Sequence, residues 1–173
     1  MDCPTPPEIP FAAPLNASHE SGTTVRYACT PPESMVLVDG PPDVTCGQHG
    51  SWTTPTFTCF DCSNTSNITL TGNSGVLTSP GYPGNHADFL DCFYVISLDQ
   101  PGPQAVTATV EYNVEVVADC IFDYFIINDD GEKYCGTGNF TKVFLVAGNQ
   151  WSVHFYADYA DNNARAFRIE YNV

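Results

Sequence analysis

Ala166-Phe167-Arg168-Ile169-Glu170-Tyr171 places bulky apolar residues at 167, 169 and 171 and other residues between them. A strand turns successive side chains to opposite faces, so a period of two describes a segment with one buried face and one polar face. Upstream, β-branched and aromatic segments recur at Phe93 to Leu98, Ala105 to Val110, Tyr124 to Ile127, Val143 to Val146 and Trp151 to Tyr156, with Gly, Asn and Pro between them. Short strands with regular turn signals predict an all-β sandwich from Cys62 onward.

The stretch before Cys62 has a different texture. It is rich in Pro, Thr and Ser, with turn signals at Pro6-Pro7, Pro31-Pro32 and Gly40-Pro41-Pro42. Its candidate strands are Thr23 to Cys29, Met35 to Val38 and the residues around Val44-Thr45-Cys46, too short to bury much core. Disulfides must then stabilise it, at about 2–4 kcal/mol each. Only Phe60 and Asp61 separate Cys59 from Cys62, which predicts a stiff junction between a unit at 1–60 and one at 61–173.

Eight cysteines with 5 Lys+Arg against 20 Asp+Glu indicate a secreted or cell-surface chain with paired thiols. A zinc site would need two close cysteine pairs, and Cys59 with Cys62 stands alone. Asn-X-Ser/Thr sequons at Asn16, Asn64, Asn67 and Asn139 point to the same compartment and are candidate glycosylation sites. Met1 leads straight into Asp2-Cys3-Pro4 with no charged leader or apolar segment and reads as an expression start. A net charge of −15 excludes nucleic acid and anionic membrane as partners, and it favours cations and basic proteins. No apolar run approaches the roughly 20 residues of a membrane span, so no direct membrane insertion is expected of this stretch.

Cys3-Pro4, Val25-Arg26-Tyr27-Ala28-Cys29, and Cys46 followed by Gly50-Ser51-Trp52, Pro55 and Cys59 together resemble a sushi module. Cysteine arithmetic alone leaves three connectivities for four cysteines. The resemblance implies Cys3 with Cys46 and Cys29 with Cys59, with Trp52 as the core aromatic between them. Pro31-Pro32-Glu33-Ser34-Met35 departs from the usual Gly-Tyr after the second cysteine.

Ser74-Gly75-Val76-Leu77-Thr78-Ser79-Pro80-Gly81-Tyr82-Pro83, Cys92, Cys120-Ile121-Phe122-Asp123-Tyr124, Cys135-Gly136 and Phe155-Tyr156-Ala157-Asp158 together resemble a CUB domain. The resemblance implies two packed antiparallel sheets and bridges pairing Cys62 with Cys92 and Cys120 with Cys135. It also implies a calcium site at Glu115, Asp123 and Asp158, with a further oxygen at Asp161. Calcium takes about 6–8 oxygen ligands, which converging carboxylates supply. Where the family has a Tyr bracing the site, this chain has His86. A neutral imidazole can donate one hydrogen bond to a carboxylate, and a charged one would oppose the metal, so calcium affinity is expected to fall with pH.

By the same resemblance Glu115, Asp123 and Asp158, with His86 and Tyr159 beside them, would present negative potential to a Lys or Arg of an extracellular protein. Tyr159 could pack on the stem of that side chain. Catalysis is not expected, because His19, His49, His86 and His154 stand in no nucleophile motif and the cysteines are claimed by bridges. Two other roles carry family precedent, a recognition arm of a complement-type protease and a carbohydrate-binding CUB.

Overall fold

The computed structural model describes residues 1–63, 66–128, 130–159 and 166–173. The N-terminal part contains β1 (Ala12–Pro14), β2 (Thr24–Cys29), β3 (Met35–Val38), β4 (Asp43–Thr45) and β5 (Thr58–Asp61). The remainder contains β6 (Ser66–Thr71), β7 (Ser74–Thr78), β8 (Leu90–Ser97), β9 (Gln104–Asn113), β10 (Tyr124–Ile127), β11 (Thr137–Val146), β12 (Gln150–Ala157) and β13 (Ala166–Asn172).

The C-terminal strands form two four-stranded sheets. One has the order β10-β12-β8-β6, antiparallel except that β6 runs parallel to β8. The other, β11-β9-β13-β7, is antiparallel throughout. In β13 Phe167, Ile169 and Tyr171 are buried while Glu170 and Asn172 are exposed, as the period of two requires. Across the sandwich Phe167 meets Phe125 at 5.0 Å and Phe155 at 5.5 Å between ring centroids, and Trp151 meets Tyr171 at 5.1 Å. Such aromatic pairs contribute about 0.5–1.5 kcal/mol beyond the area they bury. The buried Tyr94 hydroxyl donates to the Thr78 carbonyl at 2.8 Å, linking β8 of one sheet to the end of β7 in the other, and burial pushes the phenol's pKa up.

The N-terminal part packs a small core of Val25, Tyr27, Val44, Phe57 and Cys59 between the bridges Cys3–Cys46 and Cys29–Cys59. Trp52 lies against that core and donates its indole N–H to the Pro4 carbonyl at 3.0 Å. Cys62–Cys92 and Cys120–Cys135 are the bridges of the sandwich.

The junction is a packed joint. β3 pairs with β5, and its Val36 and Val38 enter the same core as Cys62, Ile68, Leu77 and Leu90 of the sandwich, with Phe60 against them. The divergent stretch after Cys29 forms a 3-10 turn at Pro32–Ser34 that docks on the sandwich. The Ser34 carbonyl accepts the Cys62 N–H and the Glu33 carbonyl accepts the Ala87 N–H, both at 2.8 Å. Gly81, at φ +74, lies so close to this turn that a Cβ there would stand 3.2 Å from Glu33 Cα.

Three strands exceed the sequence reading, each at a sheet edge. β6 and β7 are rich in Ser, Thr, Asn and Gly and lie at sheet edges, where a single apolar face suffices and alternation is weak. β11 starts at Thr137 rather than Val143 because its first half, also on an edge, keeps polar residues exposed.

Candidate metal and partner-binding site

The loop from β9 to β10 is tied at both ends. Val114 donates its N–H to the Gly136 carbonyl at 2.8 Å, and Gly136 donates back to the Glu115 carbonyl at 3.1 Å. The Cys120–Cys135 bridge anchors the far side, where a 3-10 turn at Ala118–Cys120 bends the chain through positive φ at Asp119 (62°) and Cys120 (46°). These ties hold Glu115 at the start of the loop and Asp123 at its end. β12, hydrogen-bonded to β10, delivers Asp158 to the same tip.

Glu115, Asp123 and Asp158 each offer one carboxylate oxygen, and these oxygens all lie within 4.8 Å of one another. Asp123 is only 3% exposed, and its Oδ1 accepts the Asp158 N–H at 2.8 Å. Asp158 Oδ1 is buried with no hydrogen-bond donor among the described residues. Burial pushes the Asp123 carboxyl above the ordinary Asp range, and the negative charges of Asp158 and Asp88 add to it. The Asp158 N–H and His86 pull the other way and are outweighed. Three carboxylate oxygens so placed form an all-oxygen donor set, of the kind that suits a hard cation such as calcium better than zinc.

His86 is 3% exposed, with its ring edge-on to Phe155 at 5.3 Å. Its Nδ1 lies 2.8 Å from the Ala87 carbonyl, which can only accept, so Nδ1–H is the donor. Nε2 stands 3.5 Å from Asp123 Oδ2 without a hydrogen bond, so the brace that the sequence suggested is not made. Being buried behind Asp123, His86 could reach a partner only through that carboxylate. Tyr159 is exposed and its ring stacks on Phe89 at 5.8 Å. Asp161 and Asn64 lie outside the described residues. Asn16, Asn67 and Asn139 are exposed.

Sequence reasoning missed Asp88 and Phe89. The Phe89 N–H donates to the Asp158 carbonyl at 3.0 Å, which fastens the segment before β8 to the acidic tip. Their proximity in the chain to His86 was the available signal. His154, on β12, meets Asp91 of the neighbouring β8 at 2.7 Å, in the sheet and away from any nucleophile motif.

Comparison with known proteins gives two family matches, the CUB domain over residues 62–171 and the sushi repeat (SCR repeat) over residues 3–59. Blastula protease 10 of Paracentrotus lividus is 35% identical over 118 residues, 65% of this chain and 19% of the relative. Cubilin of Canis lupus familiaris is 32% identical over 100 residues, 53% of this chain and 3% of the relative. The chain thus spans at most 19% of the length of these two curated relatives. Among solved structures, the MASP-1 CUB2 domain bound to Ca2+ aligns with a TM-score of 0.51 at 23% identity, covering 61% of this chain and 97% of that one. The extracellular region of zebrafish Gpr126/Adgrg6 aligns with a TM-score of 0.50 at 24% identity, covering 61% of this chain and 14% of that one. At these identities the alignments establish the sandwich fold.

Proposed function

Because the chain belongs to the CUB family, with a sushi repeat ahead of its CUB domain, we propose that it binds calcium through Glu115, Asp123 and Asp158 and there receives a Lys or Arg of a partner protein. The two modules are extracellular interaction modules. The observation that carries the finer reading is the convergence of the three carboxylates within 4.8 Å with Asp158 Oδ1 buried and lacking a donor. The MASP-1 CUB2 domain, of the same fold, holds Ca2+, in keeping with this assignment.

Bound at this tip, calcium would offset the mutual repulsion of the carboxylates and hold the β9–β10 loop against the end of β12. Asp161 is proposed to contribute a further oxygen. With Asp88 close by, the tip would keep negative potential after binding one divalent ion, enough to take an ammonium or guanidinium in a charge-assisted contact. Partner binding would then require calcium and weaken at high salt. Nothing in this reading calls for a catalytic residue.

Calorimetric titration of the chain with calcium chloride, beside an Asp123→Asn variant, tests the metal. The expected result is saturable binding lost in the variant, and no heat at millimolar calcium in the intact protein would overturn it. Capture of extracellular proteins with and without chelator tests the partner, with the expected proteins lost in chelator and in the variant alike. A second reading, a recognition arm of a protease, draws on the similarity to blastula protease 10. A protease domain elsewhere in the full-length protein would decide for it.

A further inference from the structure

The acidic tip is ringed by exposed apolar side chains. Val116 follows Glu115 and is 80% exposed, Tyr159 follows Asp158 at 70%, Phe89 follows Asp88 at 64%, and Ile121 and Phe122 precede Asp123 at 60% and 39%. Single exposed apolar residues are ordinary on protein surfaces, but here Glu115, Asp158, Asp88 and Asp123 each have one as a chain neighbour, on three separate segments.

Phe89 is held in this position at some expense. Its backbone lies at φ 56, a region that bulky residues rarely adopt, and is secured by the N–H bond to Asp158. Its ring projects outward and stacks on Tyr159 at 5.8 Å.

We infer that the tip recognises a single basic residue set between apolar side chains on a folded extracellular protein, and not a polybasic stretch. This rests on the calcium-dependent reading of the same site. Among the described residues Glu115, Asp123, Asp158 and Asp88 carry the charge, with the exposed Asp119 the one further carboxylate on the β9–β10 loop, and Val116, Ile121, Phe89 and Tyr159 offer apolar side chains a surface beside them. An apolar rim closing over a charged contact excludes water, the arrangement in which a central ion pair counts most toward affinity.

The test is titration, in calcium buffer, of the intact chain with three short capped peptides carrying Leu-Lys-Leu, Ser-Lys-Ser and Lys-Lys-Lys, followed by NMR chemical shifts. Leu-Lys-Leu is expected to bind about tenfold more tightly than Ser-Lys-Ser, the effect of roughly 55 Å² of apolar burial. The variant Phe89→Ser with Val116→Ser should bring the two within about twofold while its calcium isotherm stays unchanged. Tyr159→Ser alone should narrow the gap, which guards against a folding defect in the double variant. Equal affinities, or tightest binding of Lys-Lys-Lys, would overturn the inference and leave the calcium site standing. Failure of all three peptides on calcium-loaded protein would overturn recognition of a basic residue and this inference with it.

Discussion

Replacing Asp123 by Asn should reverse the order of stability of the two proteins according to calcium. Asn keeps the shape of the side chain, and its Oδ1 can still accept the Asp158 N–H now bonded at 2.8 Å. What it removes is one negative charge from a site where burial, Asp158 and Asp88 already disfavour ionisation. In chelator the variant should therefore melt at or above the midpoint of the natural protein. With calcium at about 100 times its dissociation constant, the natural protein gains about 2.7 kcal/mol by mass action. For a chain of this size each kcal/mol moves the midpoint by about 2–4 °C, so its melting temperature should rise by about 5–11 °C. The variant, having lost a charged ligand, should show no resolvable rise. Thermal unfolding followed by circular dichroism in chelator and in millimolar calcium reads all four midpoints. A calcium-induced rise retained in the variant would refute the role of Asp123. A chelator-form variant several degrees below the natural protein would refute the account of a strained metal-free site.

Three further outcomes follow from the geometry. The raised Asp123 carboxyl favours the protonated fold, so its contribution to metal-free stability is full below the ordinary Asp range and is lost as pH rises through the elevated value. Calcium needs the ionised form, so its affinity should have the opposite slope and weaken as pH falls through that value, read by calorimetry across pH 4–7. Val36→Ala, in β3 of the sushi repeat, should destabilise by about 1–3 kcal/mol, because Val36 is 2% exposed in the core shared with the sandwich, and a single shifted unfolding transition would report that shared core. Glycan at Asn139 is proposed because the residue is exposed on the edge strand β11, and enzymatic deglycosylation of protein from secreting cells should lower its mass at that peptide.

The sandwich was legible where a strand has one dry face and one wet one. Residues 166–171 alternate because β13 lies between β9 and β7 with one side against the opposite sheet, and burial imposes the period. The edge strands β6 and β7 carry a weaker constraint, so Ser66–Thr71 and Ser74–Thr78 escaped notice as strands. The acidic residues were legible by resemblance alone. Glu115, Asp123 and Asp158 share no sequence periodicity, and they meet because the β9–β10 loop and the end of β12 open at one tip of a fold whose strands β10 and β12 are neighbours.

Of the apolar ring only Tyr159 was legible in the sequence, and the rest was hidden for a different reason. An isolated Phe or Val between polar residues reads as core, and only the solved direction of each side chain separates Phe155, fully buried, from Phe89, mostly in water. The same limit hid the joint, where Pro31-Pro32-Glu33-Ser34-Met35 read only as a departure from the sushi pattern because its hydrogen-bond partners, Cys62 and Ala87, belong to the other module. The Glu33 carbonyl holds Ala87, Ala87 adjoins His86, and His86 lies 3.5 Å from Asp123, so the turn that departs from the sushi pattern buttresses the backbone behind the acidic tip. A contact of that kind gives a physical reason for the sushi repeat and the CUB domain to act as one unit, with the backbone behind the proposed metal site supported from the module that holds none of the three carboxylates.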